Sequence, residues 1–164
     1  MPLIEPWITS YGSDYEIHSI LINVKSDNYS AWSETCALEL PTYSYESANS
    51  IFFNISEIFG PSLIKKNFET PYEVINELSL FKGNPFAKAG LDIAWWNLKS
   101  EITNTPLHIL LGGSRDLVVA GADFGVQKDI DTLLEKINLA VENKAPRIKS
   151  VSYTHLRAHE TSID

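Results

Sequence analysis

NPFAKAGLDIAWWNLKSEITNTPLHILLGG, residues 84–113, begins with an asparagine suited to a helix N-cap and a proline suited to the first helical position. Apolar side chains recur at Ala87, Leu91, Ala94, Leu98 and Ile102, which is one face of a helix. The other side carries Phe86, Ala89, Gly90, Ile93, Trp95 and Trp96, so the helix is expected to be covered on most sides. Small residues at Ala87, Ala89, Gly90 and Ala94 predict that other backbones approach it closely. A polar break at Thr103, Asn104, Thr105 and Pro106 precedes a second apolar run from Leu107 to Leu111, closed by Gly112 and Gly113. The expectation is a central helix joining two bodies.

Upstream, residues 1–14 have the composition of a loop, with Pro2, Pro6, Ser10, Gly12 and Ser13 around Trp7, Ile8 and Tyr11. Residues 15–24 alternate, with Ile20, Ile22 and Val24 on one side, and predict a half-buried strand. A turn at Ser26, Asp27 and Asn28 leads to an antiparallel partner over residues 31–37. His18 reads as a surface histidine of the first strand, having no Asp or Ser arranged with it. After a loop at residues 38–44, Ala48, Ile51, Phe52, Ile55, Ile58 and Phe59 form a helical stripe that Gly60 and Pro61 are expected to stop. Thr70, Pro71, Tyr72 and Glu73 are a capping box opening a helix with Val74, Ile75 and Leu78.

Downstream the pattern changes. Residues 117–122, LVVAGA, read as a strand covered on both faces. Ile130, Leu133, Leu134, Ile137 and Val141 mark an amphipathic helix capped by Asp129, and a turn near Pro146 leads to another strand. Strand, helix and strand at these spacings are a βα unit of a parallel sheet. The last residues, 151–164, fit nothing before them. They resemble translated sequencing-adapter read-through, and the expectation is a native sequence cut near Ser150. His155, His159 and Glu160 reverse the order of the helical zinc signature and lack a third ligand.

Composition bounds the function. At 164 residues and 44% apolar content the chain can bury a real core, with one domain as the default and a small second one allowed. A net charge of −8 argues against nucleic acid or an anionic membrane as the partner. Cys36 stands alone, so a reducing compartment is expected, and it reads as a small core residue rather than a nucleophile. Residues 1–10 have no basic region or long apolar run, so no signal peptide is expected there, and a cytoplasmic location is.

The ordered set MPLIEPWITSYGS, AWSETCALELPTYSYES (with Glu34, Pro41, Tyr43 and Glu46), KAGLDIAWWNLKSEITNTPLHILLGG, GADFGV and Arg147-Ile148-Lys149 resembles the enolase superfamily. Within it the likeness is to the muconate-lactonising subgroup, above all o-succinylbenzoate synthases and N-acylamino acid racemases, over about residues 1–149. The resemblance implies an α+β capping domain over residues 1–113, the first βα unit of a truncated (β/α) barrel over 114–150, and a non-native tail over 151–164.

The resemblance also implies a chemistry: abstraction of a proton α to a carboxylate, with Mg²⁺ holding the product anion and lysine as base. Two capping-domain loops contact substrate in such enzymes. Here they would present Thr9, Ser10 and Tyr11 on one loop and Tyr43 on the other, loop packing being the other role open to Tyr11 and Tyr43. Asp123 would lie at the end of the first barrel strand, as a substrate-binding residue or, structurally, as a helix-capping or loop-ordering carboxylate. Lys149 aligns with the first lysine of a Lys-x-Lys motif, but position 151 is Val where the acid/base lysine should stand. The family's metal ligands belong to later strands, so Mg²⁺ is implied for the full-length enzyme and for no residue here.

The partner implied is a small-molecule carboxylate, with no nucleic acid or membrane and the oligomeric state left open. A complete barrel takes about 250 residues. The chain is therefore expected to be a fragment, inactive alone, of an enzyme that dehydrates a cyclohexadiene carboxylate to o-succinylbenzoate on the way to menaquinone. N-acylamino acid racemisation, muconate cycloisomerisation and dipeptide epimerisation follow as alternatives. A non-catalytic binding module is the reading from a different class.

Overall fold

The computed structural model describes residues 1–9 and 12–150. Ser10, Tyr11 and the tail over 151–164 lie outside the described residues. The chain divides into two compact units, one of Met1 with Ile17–Ser114, the other of Pro2–Glu16 with the chain from Arg115 on.

The first unit starts with an antiparallel hairpin of β3 (Ser19–Ser26) and β4 (Tyr29–Cys36), following β1 (Pro2–Thr9) and β2 (Gly12–Glu16) of the other unit. Ile20, Ile22 and Val24 point inward as the alternation requires, whereas His18 falls between β2 and β3 rather than inside a strand. Next come α1 (Ala48–Phe53), a π-helical turn (Asn54–Phe59) and α2 (Gly60–Leu63). The expected stop at Gly60 and Pro61 does not occur. The chain passes from π to α geometry at Gly60, so Pro61 falls in the first turn of a new segment, where its missing N–H is not needed. A Cβ at Gly60 would lie 2.6 Å from the Ile55 carbonyl oxygen, so only glycine fits that turn. Ile51 and Phe59 are buried, but Phe52 is exposed, being turned about 100° from Ile51.

The capping box at Thr70 forms as expected. Glu73 Oε2 accepts from the Thr70 amide at 3.3 Å and opens α3 (Pro71–Ser79), which buries Val74 and Leu78 and leaves Ile75 outside. The long helix is α4 (Pro85–Thr103), followed by the short α5 (Leu107–Leu110). It lies across β3 and β4 on its small residues, burying Ala87, Gly90, Leu91 and Ala94. Ile93 and Ile102 stay exposed, so the helix is covered on one face and not all round. Ser33 Oγ donates to the Gly90 carbonyl at 2.7 Å and Thr35 Oγ1 to that of Phe86 at 2.8 Å. These inward hydroxyls are thereby satisfied. A Cβ on Gly90 would meet Ile22 Cδ1 at 2.7 Å and Thr35 Cγ2 at 2.9 Å.

Asn84 occupies the N-cap position but does not cap through its side chain. Its backbone is left-handed (φ 57°), its side-chain Nδ2 donates to Lys82 O, and its side-chain Oδ1 accepts from Asn54 Nδ2. The cap is supplied by Glu46, only 1% exposed, whose carboxylate oxygens accept from the Phe86 and Ala87 amides at 2.8 and 3.0 Å.

In the second unit, residues 2–16 form a hairpin and not a loop. β1 pairs antiparallel with β2 through Trp7–Asp14, Ile8–Ser13 and Thr9–Gly12, with an irregularity between Pro2 and Trp7, the stretch that contains Pro6. β5 (Ala122–Phe124), α6 (Ile130–Glu142) and β6 (Ile148–Ser150) make the expected strand–helix–strand unit with β5 and β6 parallel. Asp129 caps α6 by accepting from Thr132 N at 2.7 Å, and hydrogen bonding from the Thr132 side chain and then from its backbone holds the Asp129 carboxyl below the usual range. The strand expected over residues 117–122 is reduced to β5. Leu117, Val118 and Val119 are 84%, 88% and 74% exposed, because no described residue forms a layer over them. No helix among the described residues is long and apolar enough to cross a membrane.

Asp92 on α4 has a buried oxygen with no hydrogen-bond partner, and desolvation raises its carboxyl above the ordinary 3.8. The folded state therefore holds that proton more tightly than the unfolded chain. The charge penalty is absent below the unfolded value and grows as pH rises through the folded one. Asp92→Asn should match the parent's urea midpoint near pH ~3 and exceed it near pH ~7. A lower midpoint for the variant at neutral pH would mean that the carboxylate has a stabilising partner.

Candidate functional site

Parallel pairing places Asp123 directly opposite Lys149, at the centres of β5 and β6. Residues opposite one another in a ladder share a face, and Lys149 Nζ donates to Asp123 Oδ2 at 3.3 Å. The side chains are 46% and 60% exposed, so the pair is wetted and open to a ligand. The β1–β2 hairpin reaches the same region of this unit. Val126 N, just past β5, donates to Ile8 O at 3.3 Å, and a Cβ on Gly125 would lie 3.3 Å from that oxygen. Gly125 thus permits the strand to pass close. Thr9 ends β1, paired with Gly12, while Ser10 and Tyr11 lie outside the described residues. Asp123, Lys149 and the stem of the first candidate loop therefore belong to one body.

Tyr43 belongs to the other unit, on the segment between β4 and α1, and is 75% exposed. That segment is closed at its base by Ala48 N donating to Leu38 O at 3.1 Å and tightened by Thr42 N to Leu40 O at 2.8 Å. Ser44 and Glu46 exchange two further hydrogen bonds at 3.1 and 3.2 Å. Tyr45 rests against Gly83, with its hydroxyl 3.4 Å from where a Cβ would stand. Glu46 was legible in the sequence only as part of a motif. Its role escaped because the amides it caps stand 40 and 41 residues away.

Other candidates lead elsewhere. Cys36 is half-buried at the end of β4, its Sγ 3.8 Å from Ala37 O. His18 Nε2 lies 3.8 Å from Glu39 Oε2. His155 and His159 are outside the described residues. Among the described residues no group of three or more His, Cys, Asp or Glu is arranged to hold a metal ion.

Residues 1–112 match the N-terminal domain of the mandelate racemase / muconate lactonizing enzyme family. An o-succinylbenzoate synthase from Geobacillus kaustophilus is 32% identical over 150 residues, covering 91% of this chain and 40% of that protein. An N-succinylamino acid racemase from Thermus thermophilus is 28% identical with the same coverage. A solved enolase-superfamily member from Listeria innocua superposes with a TM-score of 0.87 at 26% identity, covering 94% of this chain and 42% of that one. The chain thus spans about 40% of the length of the curated relatives it matches. The fold is that of an enolase-superfamily capping domain with a short parallel strand pair after it.

An ion pair this exposed contributes at most ~1 kcal/mol to stability. Asp123→Asn and Lys149→Met should each shift the chain's thermal midpoint by no more than a few degrees in a melt followed by circular dichroism. A collapse of the fold in either variant would make the pair structural.

Proposed function

The chain belongs to the mandelate racemase / muconate lactonizing enzyme family, and from that premise we propose that it is the N-terminal part of an o-succinylbenzoate synthase-type enzyme. The observation that carries the reading is the match of 91% of the chain to o-succinylbenzoate synthase at 32% identity. The Asp123–Lys149 pair on adjacent parallel strands supports it, because barrel enzymes draw their catalytic residues from several different parallel strands.

In this reading residues 1–113 are the capping domain, 114–150 begin the barrel, and the tail over 151–164 is not native. The substrate is a small-molecule carboxylate, handled in the cytoplasm. Thr9, Ser10 and Tyr11 on one loop and Tyr43 on the other contact the part of the substrate away from the reacting carbon. Lys149, hydrogen-bonded to Asp123, keeps an ammonium group beside the position where negative charge develops when the proton leaves. The base that takes the proton would stand at position 151, which is Val here. Mg²⁺ neutralises the substrate carboxylate in the family chemistry. The described residues do not fit it, having no cluster to hold it, so no step here runs through the metal.

The racemase relative makes N-succinylamino acid racemisation the second reading. It starts from the same proton abstraction, but racemisation returns a proton to the opposite face of the carbon, whereas dehydration breaks the neighbouring C–O bond and releases the hydroxyl as water.

The test is to read the gene beyond codon 150, express the complete frame, and assay dehydration and racemisation side by side with the 164-residue chain. The expected result is turnover, with dehydration the faster, from a frame that continues into Lys-x-Lys, and none from the 164-residue chain. A frame that ends at Asp164 with no activity would favour a binding module instead.

A further inference from the structure

Glu46 is a buried carboxylate to which the proposed reaction gives no part. It is 1% exposed, among the most enclosed side chains together with Ile51, Phe59 and Val74. Burying a carboxylate is costly unless its oxygens are satisfied, and both oxygens here accept backbone N–H groups of the first turn of α4, at 2.8 and 3.0 Å. A local cap would serve the helix alone, yet Asn84, which stands at that position, directs its side chain elsewhere. The cap comes instead from the foot of the segment that carries Tyr43. Ala37 and Ala48, at the two ends of that segment, are buried, and the Ala48 N to Leu38 O bond closes it. Between these points Leu40, Tyr43 and Tyr45 stand out into solvent. The segment is an arm with a fixed base and an exposed tip.

We propose that Glu46 is a positioning residue that sets the place of this arm, and so of Tyr43, by tying its base to the first turn of α4. The proposal rests on the reading of Tyr43 as a substrate contact. Two charge-assisted hydrogen bonds to one rigid helix end fix both the distance and the direction of the tether. An arm held in advance meets a ligand without first being ordered. Glutamine preserves the side-chain length but offers one accepting oxygen where two are used.

The experiment is amide hydrogen exchange on the 164-residue chain, its Glu46→Gln and its Glu46→Ala variants. Glu46→Ala should speed exchange of residues 38–46 and of the Phe86 and Ala87 amides at least ~10-fold. Ile22, Ser33 and Thr35 should stay within about twofold of the parent. Glu46→Gln should recover part of the lost protection. Unchanged exchange in the arm would overturn the proposal, as would equal acceleration of arm and core, which marks a residue of general stability only. Should Glu46→Ala fail to fold, the Glu46→Gln pattern decides by the same comparison. Exchange does not depend on turnover, so the substrate reading fails separately. If Tyr43→Phe leaves KM of the complete enzyme unchanged, Tyr43 has no substrate role and the functional half of the proposal falls with it.

Discussion

The close approach of α4 to the β3–β4 hairpin is the constraint on which the first unit depends. Two strands and one helix can make a core only if the helix lies almost on the sheet, and bulky residues along the seam would hold them apart. Ala87, Gly90 and Ala94 remove that obstruction, and the small inward side chains Ser33 and Thr35 remove it from the other side. The hydroxyls would be unsatisfied in an apolar seam if they did not donate to Phe86 and Gly90 carbonyls. Ile22 and Leu91 then fill the flanks, and Ile51, Phe59, Val74 and Leu78 close the core from the other helices.

Burial is divided unequally between the units. Every fully buried apolar side chain among the described residues lies in the first. The second has a parallel strand pair, one helix and a hairpin, with Leu117, Val118 and Val119 in solvent. Its candidate site chemistry is correspondingly open: Asp123 and Lys149 meet across a ladder but remain wetted. The chain covers about 40% of the length of the Geobacillus kaustophilus o-succinylbenzoate synthase it matches.

What could be read in the sequence was what is decided locally. The periodicities of α3, α4 and α6 and the caps at Thr70 and Asp129 depend on neighbours within a few residues and stand where expected, while the strand expected over residues 15–24 is split between β2 and β3 with its Ile20, Ile22 and Val24 face kept. Two misses lie in local geometry that composition does not announce, and one in a distant contact. The ladder of Trp7, Ile8 and Thr9 with residues 12–14 makes a hairpin of a stretch whose prolines suggest a loop. A π turn carries the chain past Gly60 and Pro61. Glu46 replaces Asn84 as the cap across 40 residues. Of the candidate site, Asp123 and Lys149 were named through family likeness, and their contact follows from the parallel register, which no local pattern encodes.

The closeness of the α4 seam is most directly measured by a double-mutant cycle of Gly90→Ala and Ile22→Val in equilibrium denaturation. Alanine is the better helix former by about 1 kcal/mol, yet its Cβ would stand 2.7 Å from the Ile22 Cδ1 that valine lacks. Gly90→Ala alone should cost ~1–3 kcal/mol. The double variant should be less destabilised than the sum of the single changes by ~0.5–1 kcal/mol or more. Additive changes, or a stabilising Gly90→Ala, would contradict the account.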